Sequence, residues 1–203
     1  MSSLEDQAQS AENAGDLESA LSMWIRLGSE TRDAIFYCRA GMAAERLKRW
    51  REAEDALRRA LKLDPMSVEA MECLGSLFLA RTDGDPGEQL LEARNWFERA
   101  LRVDRSARLL TFLGSTYSAL GDKRAAREVL REAVSLDSTY EEAYFNIALL
   151  EKDQNPQEAQ DLLEKAIELD PGYAKAHRGV APRRSAAATF RCQTLDVGTA
   201  DCP

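Results

Sequence analysis

Histidine and long apolar runs are scarce in this chain, and acidic residues outnumber basic ones. A single histidine, His177, among 203 residues excludes a catalytic histidine pair and a metal site with several histidine ligands within this chain. No apolar run approaches the roughly 20 residues that a membrane-spanning helix needs. The formal net charge of −8 disfavours binding to a phosphate backbone, because such binding depends on clustered lysine and arginine. We therefore expect neither a nucleic-acid nor a membrane partner.

Paired cysteines and catalytic motifs are also lacking. The four cysteines, without paired spacing, are Cys38, Cys73, Cys192 and Cys202. The N-terminus "MSSLEDQAQSAENAGD" is polar and acidic, unlike an export signal, so we expect reduced thiols in a cytoplasmic protein. The segment "GDPGEQ" has neither the lysine nor the preceding strand of a phosphate-binding loop. With no catalytic constellation, we expect no enzyme activity, no metal and no cofactor.

What the chain does contain is an internal repeat. A small residue within an apolar patch recurs at Gly41, Gly75, Gly114 and Ala148. A second pattern, alanine, three residues, a large apolar residue, two residues and a small or apolar residue, begins at Ala20, Ala53, Ala93, Ala126 and Ala159. Both patterns return every 33 to 40 residues. Their internal spacing places the apolar side chains on one helical face, so each unit is predicted to be a helix, a short turn and a second helix.

Turn and capping residues support this division into helices. Gly15 and Gly121 indicate turns between the two helices of a unit. Asn155 is predicted to cap a second helix, with Pro156 as its first residue and Glu158 three residues after the cap. The small residues of the first helices are expected to allow close packing against alanines of the second helices, namely Ala53, Ala93 and Ala126.

The third unit contains about six extra residues, "TDGDPG". Asp85, Pro86 and Glu88 there repeat the chemistry of a capped helix start. We therefore expect the second helix of this unit to start early, after a bend at Asp83 and Gly84. The extra residues are either a tolerated loop insertion or a lip that contacts a partner.

These residues resemble the tetratricopeptide repeat (TPR) family. The family pattern is an aromatic residue, two residues, Leu-Gly, two residues and Tyr, then Ala, three residues, Phe and a closing Pro. Its copy in the fourth unit is Leu110, Leu113, Gly114, Tyr117, Ala126, Leu130 and Ala133. The resemblance covers roughly residues 2 to 178. It implies an all-α fold, a right-handed α-solenoid of stacked antiparallel helix pairs.

The predicted organisation is one repeat domain, residues 1–179, followed by a tail. The units are placed at about 2–33, 34–67, 68–106, 107–139 and 140–172, with a partial sixth over 173–179. In that sixth unit, Ala174, His177 and Val180 are predicted to cover the fifth. Over residues 180–203 the apolar period is absent, and Pro182 stops the helix. We expect a disordered tail, which is either native or the product of an altered reading frame.

The resemblance implies a protein or peptide partner, because in this family the first helices line a concave groove where partner peptides often lie. The residues that helical spacing places on this groove are Cys38, Met42, Glu45, Glu72, Ser76, Arg108, Thr111, Ser115, Phe145, Asn146, Leu149, Lys175 and Arg178. The groove is predicted to be acidic in its N-terminal half and apolar at Phe145 and Leu149. Lys175 and Arg178 give it a basic edge. A non-catalytic interaction scaffold is the leading hypothesis.

Other functions stay open. Asn146 and Lys175 match part of a set with which some family members clamp a partner's C-terminal carboxylate, although Thr111, Ser115 and Gly179 depart from it. The chain is alternatively a fragment or regulatory arm of a larger TPR-containing enzyme. A third hypothesis is a self-assembly module that associates through its C-terminal end.

The short sixth helix generates a prediction about amide exchange. A helix stopped by Pro182 covers little of the fifth unit, so its backbone hydrogen bonds should open readily. Amides from about Ala174 onward are expected to exchange fast in hydrogen–deuterium exchange, whereas those of Leu113 and Leu130 stay protected. Equal protection at both places would contradict the prediction.

Overall fold

Residues 3–179 of a computed structural model form eleven helices and no strand. The helices are α1 (Leu4–Asn13), α2 (Leu17–Thr31), α3 (Ala34–Arg46), α4 (Trp50–Leu63), α5 (Val68–Ala80), α6 (Pro86–Val103), α7 (Ala107–Ala119), α8 (Lys123–Leu136), α9 (Glu141–Glu151), α10 (Pro156–Leu169) and α11 (Ala174–Gly179). Each helix packs against the next, which gives a right-handed solenoid of antiparallel helix pairs. The expected all-α fold is confirmed. The predictions made for Val180, Cys192, Cys202 and the rest of 180–203 lie outside the described residues.

The second helices of the pairs are amphipathic, and the repeated alanine pattern is the face that they bury. In α8, Ala126, Leu130 and Ala133 are fully buried, while most other positions are at least partly exposed. First helices contact both their own second helix and the neighbouring units, and α3 and α7 therefore bury apolar residues on more than one face. Stacking thus builds a continuous core from units that could not bury their apolar faces alone.

Glycine allows the two helices of a unit to approach closely. A Cβ added to Gly75 would lie 2.5 Å from Cε1 of Phe97, and one added to Gly114 would lie 2.5 Å from Cγ of Leu130. The predicted close approach is confirmed, but the nearest residues are not the predicted alanines, Ala53, Ala93 and Ala126. An alanine methyl group is too short to fill the space over the glycine, and the large apolar residue one turn further along fills it.

Local signals in the turns and at the start of α6 are confirmed. Gly15 and Gly121 adopt φ angles of 81° and 84°, which a residue with a Cβ rarely adopts. In the third unit, α6 begins at Pro86, and the Asp85 side chain accepts a hydrogen bond of 2.8 Å from the backbone N–H of Glu88. The chain bends at residues 83 and 84, as expected. Because of this early start, α6 has 18 residues where α4, α8 and α10 have 14.

The Asn155 cap is only partly as predicted. Asn155 precedes α10 and Pro156 is its first residue, but the Asn155 side chain makes no capping hydrogen bond. Its Nδ2 instead donates to Oε2 of Glu151 at 2.9 Å, while Nε of Arg127 donates to Oε1 at 2.6 Å. Glu151 is only 3% exposed, and a buried carboxylate is costly unless it is paired. Arg127 and Asn155 together lower the pKa of Glu151 and link α8 to α9.

The predicted register of α11 is wrong. Ala176 is the fully buried residue of this helix, whereas Ala174 and His177 are exposed. Nε2 of His177 donates to the carbonyl oxygen of Pro171 at 2.8 Å, so the ring turns back onto the preceding loop. The aromatic residue that packs on the fifth unit is Tyr173, which meets Phe145 edge-on at 5.5 Å between ring centroids. Tyr173 lies before the helix, where helical spacing does not apply.

Close packing at Gly75 yields a stability prediction. The Phe97 ring behind it is buried and stacked on Phe112 at 5.4 Å, so it has little room to move. Gly75→Ala is therefore expected to lower the free energy of unfolding by about 1–3 kcal/mol in chemical denaturation, despite the better helix propensity of alanine. Ser76→Ala, one residue further along the same helix, should change it by no more than about 0.5 kcal/mol. Equal effects of the two substitutions would contradict the packing argument.

Candidate partner-binding groove

Contacts between units identify a face that the first helices share. Nη2 of Arg108 on α7 pairs with Glu72 on α5, and Nζ of Lys175 on α11 lies 3.1 Å from Oε1 of Glu142 on α9. The groove is defined here as this shared face of α1, α3, α5, α7, α9 and α11. Both ion pairs are partly exposed, so each contributes little to stability. Their main consequence is to orient charged side chains along the groove.

The acidic section of the groove consists of Glu45, Glu69 and Glu72. Burial raises the pKa of Glu45, and its carboxylate makes no hydrogen bond or ion pair with residues 3–179. Burial also raises the pKa of Glu72, an effect that Arg108 partly offsets. All three carboxylates lie close enough to Cys73 to raise the pKa of its thiol further. This section therefore holds more negative charge than the surrounding residues neutralise.

Cys38 and Cys73 are free thiols beside the acidic section. Burial, with Glu69 as a smaller cause, raises the pKa of Cys38 to about 12, and burial likewise raises that of Cys73. Since the thiolate is the nucleophilic form, these shifts disfavour a nucleophilic role for either thiol.

The apolar section of the groove consists of Phe145, Leu149 and Tyr173. Leu149 is 50% exposed, and Phe145 is half-buried against Tyr173. Leu149 also lines a cavity of about 440 Å³ between α9, α10 and α11, whose lining includes Lys152 and Arg178. Neither of these cations forms an ion pair with another described residue. This section thus combines exposed apolar surface with unneutralised positive charge.

Two predicted groove residues are inaccessible. Cys38 is fully buried among Ala60, Ala70 and Tyr37, and Thr111 is 2% exposed, with its Oγ1 donating to the carbonyl of Ala107 at 2.8 Å. Helical spacing predicts both as groove residues, but packing against neighbouring residues buries them. We therefore leave both out of the candidate surface.

The remaining predicted groove residues are at least partly accessible, namely Met42, Glu45, Glu72, Ser76, Arg108, Ser115, Phe145, Asn146, Leu149, Lys175 and Arg178. The two that match a carboxylate clamp are already engaged. Nδ2 of Asn146 donates to the backbone carbonyl of Glu142 at 3.0 Å, and Lys175 pairs with the Glu142 side chain. A partner carboxylate would have to compete with these contacts.

No group of three or more histidine, cysteine, aspartate or glutamate side chains within residues 3–179 is placed to hold a metal ion. In the same residues, no helix is both long enough and apolar enough to cross a membrane.

Comparison with known families decides which fold family this is. Tetratricopeptide repeat models match residues 34–67, 107–140 and 141–173. The chain belongs to the tetratricopeptide repeat family. In each matched segment of this TPR protein, one helix pair forms the repeat. A comparison with curated proteins gave no match.

Solved TPR structures are similar to this chain over most of their length. TTC0263 from Thermus thermophilus is 20% identical with a TM-score of 0.70, and the match covers 85% of this chain and 93% of that one. MamA from Desulfovibrio magneticus RS-1 is 20% identical with a TM-score of 0.67, covering 84% and 95%. YrrB, described as a TPR protein with an unusual peptide-binding site, is 21% identical with a TM-score of 0.60, covering 84% and 87%. At these identities the likeness shows the fold.

The unpaired carboxylate of Glu45 generates a prediction about pH dependence. Because its pKa is raised in the folded state, the stability that its protonated form provides is lost as the pH rises through that pKa. Glu45→Gln is expected to increase the free energy of unfolding at about pH 7 by no more than about 0.5 kcal/mol, since solvent screens the side chain. The gain should shrink as the pH falls towards about 4.

Glu92→Gln on α6 is the matched control, because Glu92 is exposed and forms no ion pair with a described residue. Denaturation curves of both variants at several pH values make the comparison. A gain for Glu45→Gln that does not depend on pH would contradict the role of ionisation.

Proposed function

We propose that this TPR protein is a non-catalytic scaffold that binds a peptide or protein partner along the groove. One observation carries the proposal: one section of the groove holds a carboxylate without an ion-pair partner, and a separate section exposes an apolar side chain. The acidic section holds the unpaired carboxylate of Glu45, and the apolar section exposes half of Leu149. A surface that served only to close the solenoid would have no need of either feature.

The acidic section is suited to a lysine or arginine of the partner. Glu45 and Glu72 are partly desolvated, and an ionic hydrogen bond to such a carboxylate is stronger than one in open water. Binding a cation there would also favour the ionised carboxylate of Glu45, against the effect of burial. The acidic section thus selects for positive charge on the partner segment.

The apolar section is suited to a large apolar side chain of the partner. Complete burial of Leu149 and of one partner side chain against Phe145 would contribute about 1.5–3 kcal/mol for each buried side chain. Lys152 and Arg178 beside Leu149 favour an acidic group near that anchor. The partner segment that fits best is therefore basic at one end and apolar with an acidic neighbour at the other.

The family and the side-chain chemistry support the proposal. YrrB is described as a TPR protein with an unusual peptide-binding site, so a protein of this fold binds a peptide. The absence of a catalytic role is also part of the proposal. Its support is that Cys38 is buried, that Cys73 is half-buried with a raised pKa, and that His177 is engaged with Pro171.

Peptide binding to the intact chain tests the proposal. A peptide array is screened for binders, and the best peptide is titrated by fluorescence anisotropy against the chain and its variants. Leu149→Asp is expected to weaken binding at least about tenfold, because it places a charge at the apolar anchor site. Leu136→Asp is the matched control, since Leu136 is 53% exposed, close to the 50% of Leu149, but lies at the end of α8. The control should bind as the unmodified chain does.

Two outcomes would overturn the proposal. One is a screen that recovers no saturable binder. The other is equal weakening by Leu149→Asp and Leu136→Asp, which would place the contact elsewhere. Light scattering of the free chain at micromolar concentration accompanies the titration, because self-association through Leu149 would compete with the peptide.

A further inference from the structure

One position of the repeat differs in the first unit in a way that changes the outer surface of the solenoid. The position that follows the last residue of the second-helix pattern is apolar and half-buried in four units, as Leu61, Leu101, Val134 and Ile167. In the first unit this position is Gly28. The branched side chain that the other units place between neighbouring helices is therefore missing at this one place.

A cavity lies beside Gly28. It measures about 320 Å³ and lies between the C-terminal halves of α2 and α4, where Gly28 and Leu63 are among its lining residues. The ring of Tyr37 from α3 forms another wall, and a Cβ added to Gly28 would be 2.9 Å from Cδ2 of this ring. The ring therefore fills the space directly over Gly28, and the cavity opens beside it.

Tyr37 brings a hydroxyl group without a protein partner to this cavity. The residue as a whole is only 8% exposed, yet its hydroxyl group makes no hydrogen bond with residues 3–179. The buried polar side-chain atoms of residues 3–179 that lack a hydrogen-bond partner do not include this hydroxyl oxygen, so it is in contact with solvent. The hydroxyl group is thus available to a molecule that enters the cavity.

Positive charge surrounds the same cavity. Arg32, Arg59 and Lys62 line it, and none of them forms an ion pair or a side-chain hydrogen bond with the described part of the chain. Two carboxylates, Glu52 and Asp55, lie at the other end of the cleft, in an adjoining cavity of about 110 Å³ that shares Tyr37 and Arg59. The end near Arg32 and Lys62 is therefore the end that would hold an anion.

We propose that this cavity is a binding site for a small anionic ligand, in which a carboxylate or phosphate is carried on a ring or a branched apolar body. The anion pairs with Arg32 and Lys62, since guanidinium and ammonium groups form their strongest hydrogen bonds with such oxygens. The apolar body lies against Tyr37 and Leu63, which line the cavity. The site lies between α2 and α4 and shares no lining residue with the groove residues named above.

Nuclear magnetic resonance titration of the intact, isotope-labelled chain tests the site. The probes are phenyl phosphate and benzoate, which carry the two anions on the same ring, and inorganic phosphate, which has no apolar body. Phenyl phosphate or benzoate should give saturable shifts of the Gly28, Arg32 and Leu63 amides with a Kd below about 1 mM. Inorganic phosphate should bind at least about tenfold more weakly, because it leaves the apolar slot unfilled.

Matched variants assign the binding to this cavity. Lys62→Gln is expected to weaken ligand binding about tenfold, because one charge-assisted hydrogen bond to the anion is lost. Arg102→Gln is the control, because Arg102 occupies the same position of the next unit, where the preceding unit has Leu61 in the place of Gly28. Tyr37→Phe removes only the hydroxyl group and should weaken binding by about threefold or more.

Three results would overturn the proposal. The first is the absence of saturable shifts with both phenyl phosphate and benzoate. The second is equal affinity for inorganic phosphate, which would mean that only surface charge is involved. The third is equal weakening by Lys62→Gln and Arg102→Gln. Because both positions are exposed, these two variants are expected to fold normally and keep the test decisive.

Discussion

Every helix pair of this protein depends on one contact, in which a small residue of the first helix meets a large apolar residue of the second. Glycine occupies the first position at Gly75 and Gly114, and Phe97 and Leu130 fill the space above them. The corresponding residues of the first unit are Ala8 and Trp24, both fully buried. Because the contact brings the two helices close together, it sets the geometry of the pair. Stacked pairs then share one continuous apolar core.

That contact uses only one face of each helix, which leaves the remaining surfaces free to differ between units. Along the groove, unneutralised negative charge at Glu45 gives way to exposed apolar surface at Leu149, with Lys152 and Arg178 beside it. Between α2 and α4, a cavity lies beside Gly28, where the other units have a branched residue. Both candidate sites are therefore local departures from the repeat, built on a scaffold that does not change.

Ion pairs also join helices of neighbouring units. Glu72 and Arg108 join α5 to α7, Arg127 and Glu151 join α8 to α9, and Glu142 and Lys175 join α9 to α11. The exposed pairs stabilise little by themselves. They determine which charges are already neutralised and which ones remain available to a partner.

The amino-acid sequence by itself determined the helix pairs, the early start of α6 at Pro86 and the glycine turns, because these depend on residues close together in the chain. Helical spacing also predicted a set of groove residues, most of which are at least partly accessible. Only the tertiary structure decided that Cys38 and Thr111 are covered, that Asn155 binds Glu151 instead of capping α10, and that His177 turns away from the fifth unit. Helical spacing tells which way a side chain points, but what it meets there depends on residues that are distant in the chain and are brought near only when the units stack.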